Sequence, residues 1–102
     1  MNFKILEKKI VKNAFDYGKR HQIEFTQDFA AIKLFEEVGE FAQALLIHQK
    51  KCRESKYVTE EISKQELGKE LADVVGMAIV NAHLLGINLE EALDKKWIHK
   101  EK

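Results

Sequence analysis

Apolar residues in the first twenty positions recur mostly at spacings of three and four: Phe3, Ile5, Leu6, Ile10, Val11, Ala14, Phe15 and Tyr17. That period predicts a helix over roughly residues 3–21. A second helix is expected from Thr26, a good N-cap followed by Asp28 in the first turn, to about Lys50. Ser63-x-x-Glu66 reads as a capping box that opens a third helix, which ends before Gly86. Asn88-x-x-Glu91 opens a short fourth helix through Trp97. Residues 51–61 between the second and third helices are charged and weakly periodic, so a connecting loop with at most a turn of helix is expected there. No stretch alternates as a strand, and the fold class is all-α.

Placing the second helix on a wheel, at about 100° per residue, gathers Glu36, Glu37 and Glu40 within an arc of about 100°. Leu34, Phe35, Val38, Phe41, Ala42 and Leu45 lie on the other side. A solvated acidic face explains this much, but Phe29, Ile32 and Ile47 share the acidic sector. In the third helix Glu70 falls on the line of Leu67, Val74, Met77, Asn81 and Leu84, while Asp73 sits beside Met77 and Val80. From Leu71 to Ile87 only Asp73, Asn81 and His83 are strongly polar, so this helix is expected to be enclosed nearly all round. Acids in such surroundings need a metal, a cation or a proton, because an unpaired buried charge costs several kcal/mol.

Composition narrows the choices. With 102 residues the chain has the length of a single domain, spanning 1–102, and oligomerisation is a reasonable source of added stability. Lys plus Arg and Asp plus Glu number 17 each, which argues against a broad nucleic-acid footprint. Cys52 is the only cysteine, which excludes an intrachain disulfide and a thiolate metal site. The N-terminus has no apolar stretch of signal-peptide length, and the run Val74–Val80 is too short to span a bilayer. A reducing cytoplasm is the expected location, with no membrane partner.

Two i, i+3 carboxylate pairs, Glu37/Glu40 and Glu70/Asp73, each present two acids one turn apart on a helix face. On facing helices they would supply four oxygen ligands to a hard ion such as Mg²⁺, or Mn²⁺ in its place. Metal-assisted hydrolysis of a phosphoanhydride is the implied reaction class, with a spare carboxylate to orient or deprotonate the attacking water. A ferritin-like di-iron site would use Glu-x-x-His pairs, and the residues three before each histidine are Gly18, Leu45, Val80 and Lys96.

Lys33-Leu34-Phe35-Glu36-Glu37-Val38-Gly39-Glu40-Phe41-Ala42, then Glu70-Leu71-Ala72-Asp73-Val74-Val75, resembles the MazG-like all-α nucleoside-triphosphate pyrophosphohydrolases. Leu85-Gly86-Ile87-Asn88-Leu89-Glu90-Glu91-Ala92 with Lys95-Lys96-Trp97 is similar to that family's third-to-fourth helix passage, so the likeness covers roughly residues 26–97. The resemblance implies a four-helix bundle completed by oligomerisation, as a homodimer or homotetramer. It also implies Mg²⁺-dependent cleavage of an NTP or dNTP to the monophosphate and pyrophosphate. By position Glu37, Glu40, Glu70 and Asp73 match the metal ligands, and Glu36 matches the first, more variable acid of the motif, a water-positioning candidate. Glu36, Glu37 and Glu40 are thus the catalytic candidates. The segment from Glu40 to Glu70 is longer than in compact members, and no Asn/Arg-rich phosphate motif closes the chain.

The substrate-binding candidates each have a plainer reading. Lys33 can reach a phosphate or form an i, i+4 salt bridge with Glu37. Asn81 can hydrogen-bond a nucleobase or a partner helix. Lys95 and Lys96 can contact phosphate or simply favour a helix C-terminus. Trp97 can stack on a base or anchor a core or interface. Gly39 and Gly76 suggest close helix approach near the site. A phosphoribosyl-ATP pyrophosphatase and a non-catalytic helical interaction module are the alternatives.

Overall fold

The computed structural model describes residues 1–100, and the last two positions of the expected domain lie outside the described residues. It contains α1 (Phe3–His21), α2 (Gln27–His48), α3 (Glu60–Leu84) and α4 (Leu89–Leu93), with no strand among the described residues. The fold is all-helical.

Each helix begins at a side chain that accepts an otherwise orphaned backbone N–H. Asn2 accepts from Ile5, Thr26 from Phe29, Thr59 from Ile62 and Asn88 from Glu91, at 2.9–3.2 Å. α3 therefore starts one turn before Ser63, the cap expected from sequence. Thr59 takes that role, with Glu60 and Glu61 favourably placed in the first turn. Ser63 is buried inside the helix instead, where its Oγ donates to the Glu60 carbonyl (3.0 Å) and contacts His48 Nδ1 (2.7 Å).

Three helices end alike. Gln22 (φ 56°), Lys50 (φ 58°) and Gly86 (φ 69°) occupy the left-handed region, and the next residue bonds back five positions: Ile23 to Gly18, Lys51 to Leu46, Ile87 to Ala82. Only the third uses glycine for the turn. After it the chain bends by 116° into α4, which Lys4 of α1 tethers by a hydrogen bond to Asn88 (2.9 Å) and an ion pair to Glu90 (3.8 Å). A single π-turn, Asp94–Ile98, extends α4. The connection before α3 holds one 3₁₀ turn, Glu54–Lys56, in keeping with the expected loop.

α2 and α3 form the principal packed pair, and α1 lies against α3. Among the described residues Ala30, Ile79, Val80 and Ala82 form the buried apolar core. Phe25 closes the α1–α2 turn between Phe15 (ring centroids 5.8 Å) and Phe29 (5.0 Å). α3 is not enclosed all round: Leu71 and Val75 stand half exposed, because α1 and α2 cover only part of its circumference. No single described helix is long and apolar enough to cross a membrane.

Candidate metal centre

The i, i+3 spacing places Glu37 and Glu40 on one face of α2, and Glu70 and Asp73 on one face of α3. Packing of these two helices brings the four together: each offers a carboxylate oxygen, and all four oxygens lie within 4.8 Å of one another. At that separation two charged oxygens repel by about 3 kcal/mol at an effective dielectric near 20.

Two of the acids are withdrawn from water. Glu37 Oε2 and Glu70 Oε2 are buried and have no hydrogen-bond partner, and the Glu37 side chain is only 12% exposed. Burial pushes the Glu37 carboxyl up to about 7. A proton shared with Glu40 and repulsion from Glu40 and Asp73 act the same way, while Lys33 opposes them. Burial also raises Glu70, with repulsion from Glu40 and Asp73 adding to it. Lys33 supplies partial compensation from the rim: its Nζ is 3.8 Å from Glu37 Oε1 and hydrogen-bonds Glu36. The expected i, i+4 salt bridge is present, and Glu36 holds Lys33 in its charged form.

The donors fit a hard divalent cation. All are carboxylate oxygens, two are buried without any donor of their own, and one lysine at the edge leaves an excess of negative charge. Glu36, half exposed and paired with Lys33, stands outside the four.

The other expected contacts separate from this centre. Asn81 Nδ2 donates to the carbonyl of Met77 within α3 (2.7 Å) and to that of Ala30 on α2 (2.9 Å), so its amide hydrogens serve the helix pair rather than face a ligand. Lys95 pairs with Glu91 at 2.7 Å. With Lys96, Trp97 and Lys100 it lines a surface cleft that includes none of the four acids, and Trp97 is 74% exposed, outside any core of this chain. Gly39 has open space where a Cβ would stand, and Gly76 has only an ordinary 4.0 Å neighbour in Ile10, so close approach explains neither.

The helix expected over residues 3–21 is α1, and its contribution beside the acids is not among the sequence-predicted site residues. Ile10, Asn13, Ala14 and Tyr17 line a cleft of about 490 Å³ that also contains Glu37, Asp73 and Lys33. Ile10, Ala14 and Tyr17 belong to the apolar period that predicts the helix, Asn13 does not, and nothing local ties either to the acids. Comparison with protein-family models, curated proteins and solved structures found no match.

Proposed function

We propose that this protein is a Mg²⁺-dependent nucleoside-triphosphate pyrophosphohydrolase of the MazG-like kind, with Mn²⁺ as a possible substitute. The convergence of four carboxylates from two packed helices, two of them buried and unpartnered, carries the reading. Glu37, Glu40, Glu70 and Asp73 would hold the metal. Bound Mg²⁺ supplies positive charge for the phosphate oxygens and lowers the pKa of an attacking water.

The residues of the chain divide the remaining work. Glu37, backed by Lys33, and Glu70 are fixed by burial, so the site needs little reorganisation when substrate arrives. Glu36 lies at the rim, engages Lys33 through Oε1 and keeps Oε2 to accept the proton of water. Water oxygen attacks the α-phosphorus. The bond to the α–β bridging oxygen then breaks, and pyrophosphate departs with the electron pair.

The bundle would be completed by a second copy. A compact monomer of this mass exposes about 5,900 Å², whereas this chain exposes 8011 Å². Its radius of gyration is 16.1 Å, against about 13 Å for a compact domain of this length. Phe35, at 79% exposure, Val38 and Leu46 mark an open stripe on α2, and Leu71 and Val75 one on α3. The surplus exceeds the roughly 800 Å² per partner that a standard interface buries. A homodimer is the simplest assembly, and a homotetramer would pair two of them.

The test is pyrophosphate release from a panel of NTPs and dNTPs, with Mg²⁺ or with EDTA, beside Glu40→Gln. Release that depends on Mg²⁺ and is lost in the variant is expected. Activity surviving EDTA or the substitution would sink the reading, and release of orthophosphate instead would displace the attack from the α-phosphorus.

A further inference from the structure

The acid cluster is shared between two clefts of different character. Glu40 and Glu70 line one of about 340 Å³, together with Gln43, Lys56 and Ile62, and no aromatic ring lines it. Glu37 and Asp73 line the other, of about 490 Å³, to which α1 and the α1–α2 turn contribute Asn13, Tyr17 and Phe25, and α3 contributes Met77. The charged residues of this second cleft are Lys33, Glu37 and Asp73. Its remaining lining is aromatic, aliphatic or neutral.

We propose that the α1-side cleft is the nucleoside subsite, taking the substrate's base against Tyr17, Phe25 and Met77 while Asn13 reads its hydrogen-bonding edge. The proposal rests on the nucleotide reading of the acid cluster and adds the part of the substrate that the cluster cannot hold. A nucleotide is itself divided in this way, with a flat apolar ring at one end and anionic phosphates at the other. Rings and thioether sulfur offer favourable contact to any base face. Specificity then requires a donor and an acceptor in the plane of the base, and a carboxamide presents both side by side.

Asn13 is free to do this. Its side chain and the Tyr17 hydroxyl make no hydrogen bond among the described residues, although both line the cleft. Asn13 and Tyr17 are i, i+4 on α1 and so project from one face. Asn81, the polar side chain nearest in character, is spent on two backbone carbonyls. Base selection thereby falls to α1, which lies outside residues 26–97.

Two methionines make the site readable by NMR, because Met77 lines the cleft and Met1 does not. The full chain, carrying ¹³C-methyl methionine and ¹⁵N, is titrated in EDTA with adenosine, guanosine, cytidine and thymidine, and with ribose as the base-free control. At least one nucleoside is expected to move the Met77 methyl and the Asn13 side-chain amide, leaving Met1 in place, while ribose moves neither. Tyr17→Ala should weaken that nucleoside about tenfold, within the range for losing one base–aromatic stack. Asn13→Ala, at an exposed helical position where alanine is well tolerated, should weaken it about threefold to tenfold and flatten the preference among bases. Unmoved Met77 and Asn13 signals, equal shifts with ribose, or shifts centred on the Trp97 indole would overturn the assignment. EDTA keeps this test independent of the metal. Nucleoside binding without Mg²⁺-dependent pyrophosphate release would remove the hydrolase reading alone, and the reverse result would remove the subsite alone.

Discussion

Glu37 on α2 and Glu70 on α3 each direct an Oε2 into the helix interface where no donor meets it. Two side chains from separate helices thus share one unmet need, and a divalent cation would meet both. At a concentration about 100-fold above its dissociation constant, Mg²⁺ or Mn²⁺ should stabilise the fold by about 2.7 kcal/mol, read as a rise in melting temperature. Glu70→Gln should melt higher than the parent in EDTA, because repulsion is relieved, yet gain nothing from metal. A parent melting curve indifferent to both ions would count against the centre.

The metal-free protein should also lose stability as pH rises. The Glu37 carboxyl is held at about 7 in the fold, against 4.5 for the free side chain. Between those values the folded state binds the extra proton, so the slope of unfolding free energy against pH is negative there. The stabilisation of the protonated form is complete below about 4.5 and lost on passing 7; the upward shift of Glu70 adds in the same direction. Denaturant melts in EDTA at pH 5.5, 6.5 and 7.5 should show falling stability. Saturating Mg²⁺, which competes with the proton, should flatten or reverse that trend.

The acid spacing was legible because i, i+3 periodicity is local, and so were the helix starts at Thr26 and Asn88. Ser63 misled because two capping signals compete four residues apart, and the choice falls to Thr59 while Ser63 meets His48, a contact from another helix. Leu71 and Val75 looked like core for a sound reason, since they are apolar, but periodicity does not say whether the other helices of this chain reach them. The α1 lining of the cleft was invisible for a related reason. Asn13 and Asp73 come to line one cleft only through the way α1 packs on α3, and no sequence spacing encodes that.

Asn81→Ala should be a stability variant. It removes the bond to Ala30 of α2 and the bond to Met77 within α3, and Ala30 is fully buried. Ala30 keeps its own helical bond, so losing this cross-helix donor should cost about 0.5–1.5 kcal/mol. The Michaelis constants for different bases should keep their order, which separates this clamp from a base-reading role. A reordering of base preference would return Asn81 to the substrate.

Charge placed on the open stripes should separate the copies. Phe35→Glu and Val75→Lys, made singly, remove apolar groups that this chain leaves uncovered, so the monomer fold should survive. Analytical ultracentrifugation should show the parent as a dimer or tetramer and each variant shifted to monomer. A parent that sediments as a monomer at all concentrations would contradict the completed bundle.

Two glycine exchanges at the end of α1 should act in opposite directions. A Cβ on Gly18 would lie 2.6 Å from the Ile23 carbonyl oxygen and 3.1 Å from the Phe25 ring. The carbonyl belongs to the turn that caps the helix, where Ile23 N–H bonds Gly18 at 2.8 Å, and it cannot yield without breaking that turn. Gly18→Ala should therefore cost about 1–3 kcal/mol, and it should weaken nucleoside binding by displacing Phe25 from the cleft. Gln22 has the reverse problem, with a side chain at φ 56°, where L-residues other than glycine are strained by about 1–2 kcal/mol. Gln22→Gly relieves that strain at the entropic cost of a freer unfolded chain, for a net gain of up to about 1 kcal/mol. Chemical denaturation of the two variants and of the double variant resolves the signs. Near-additive effects would not be expected, since both residues belong to one capping turn.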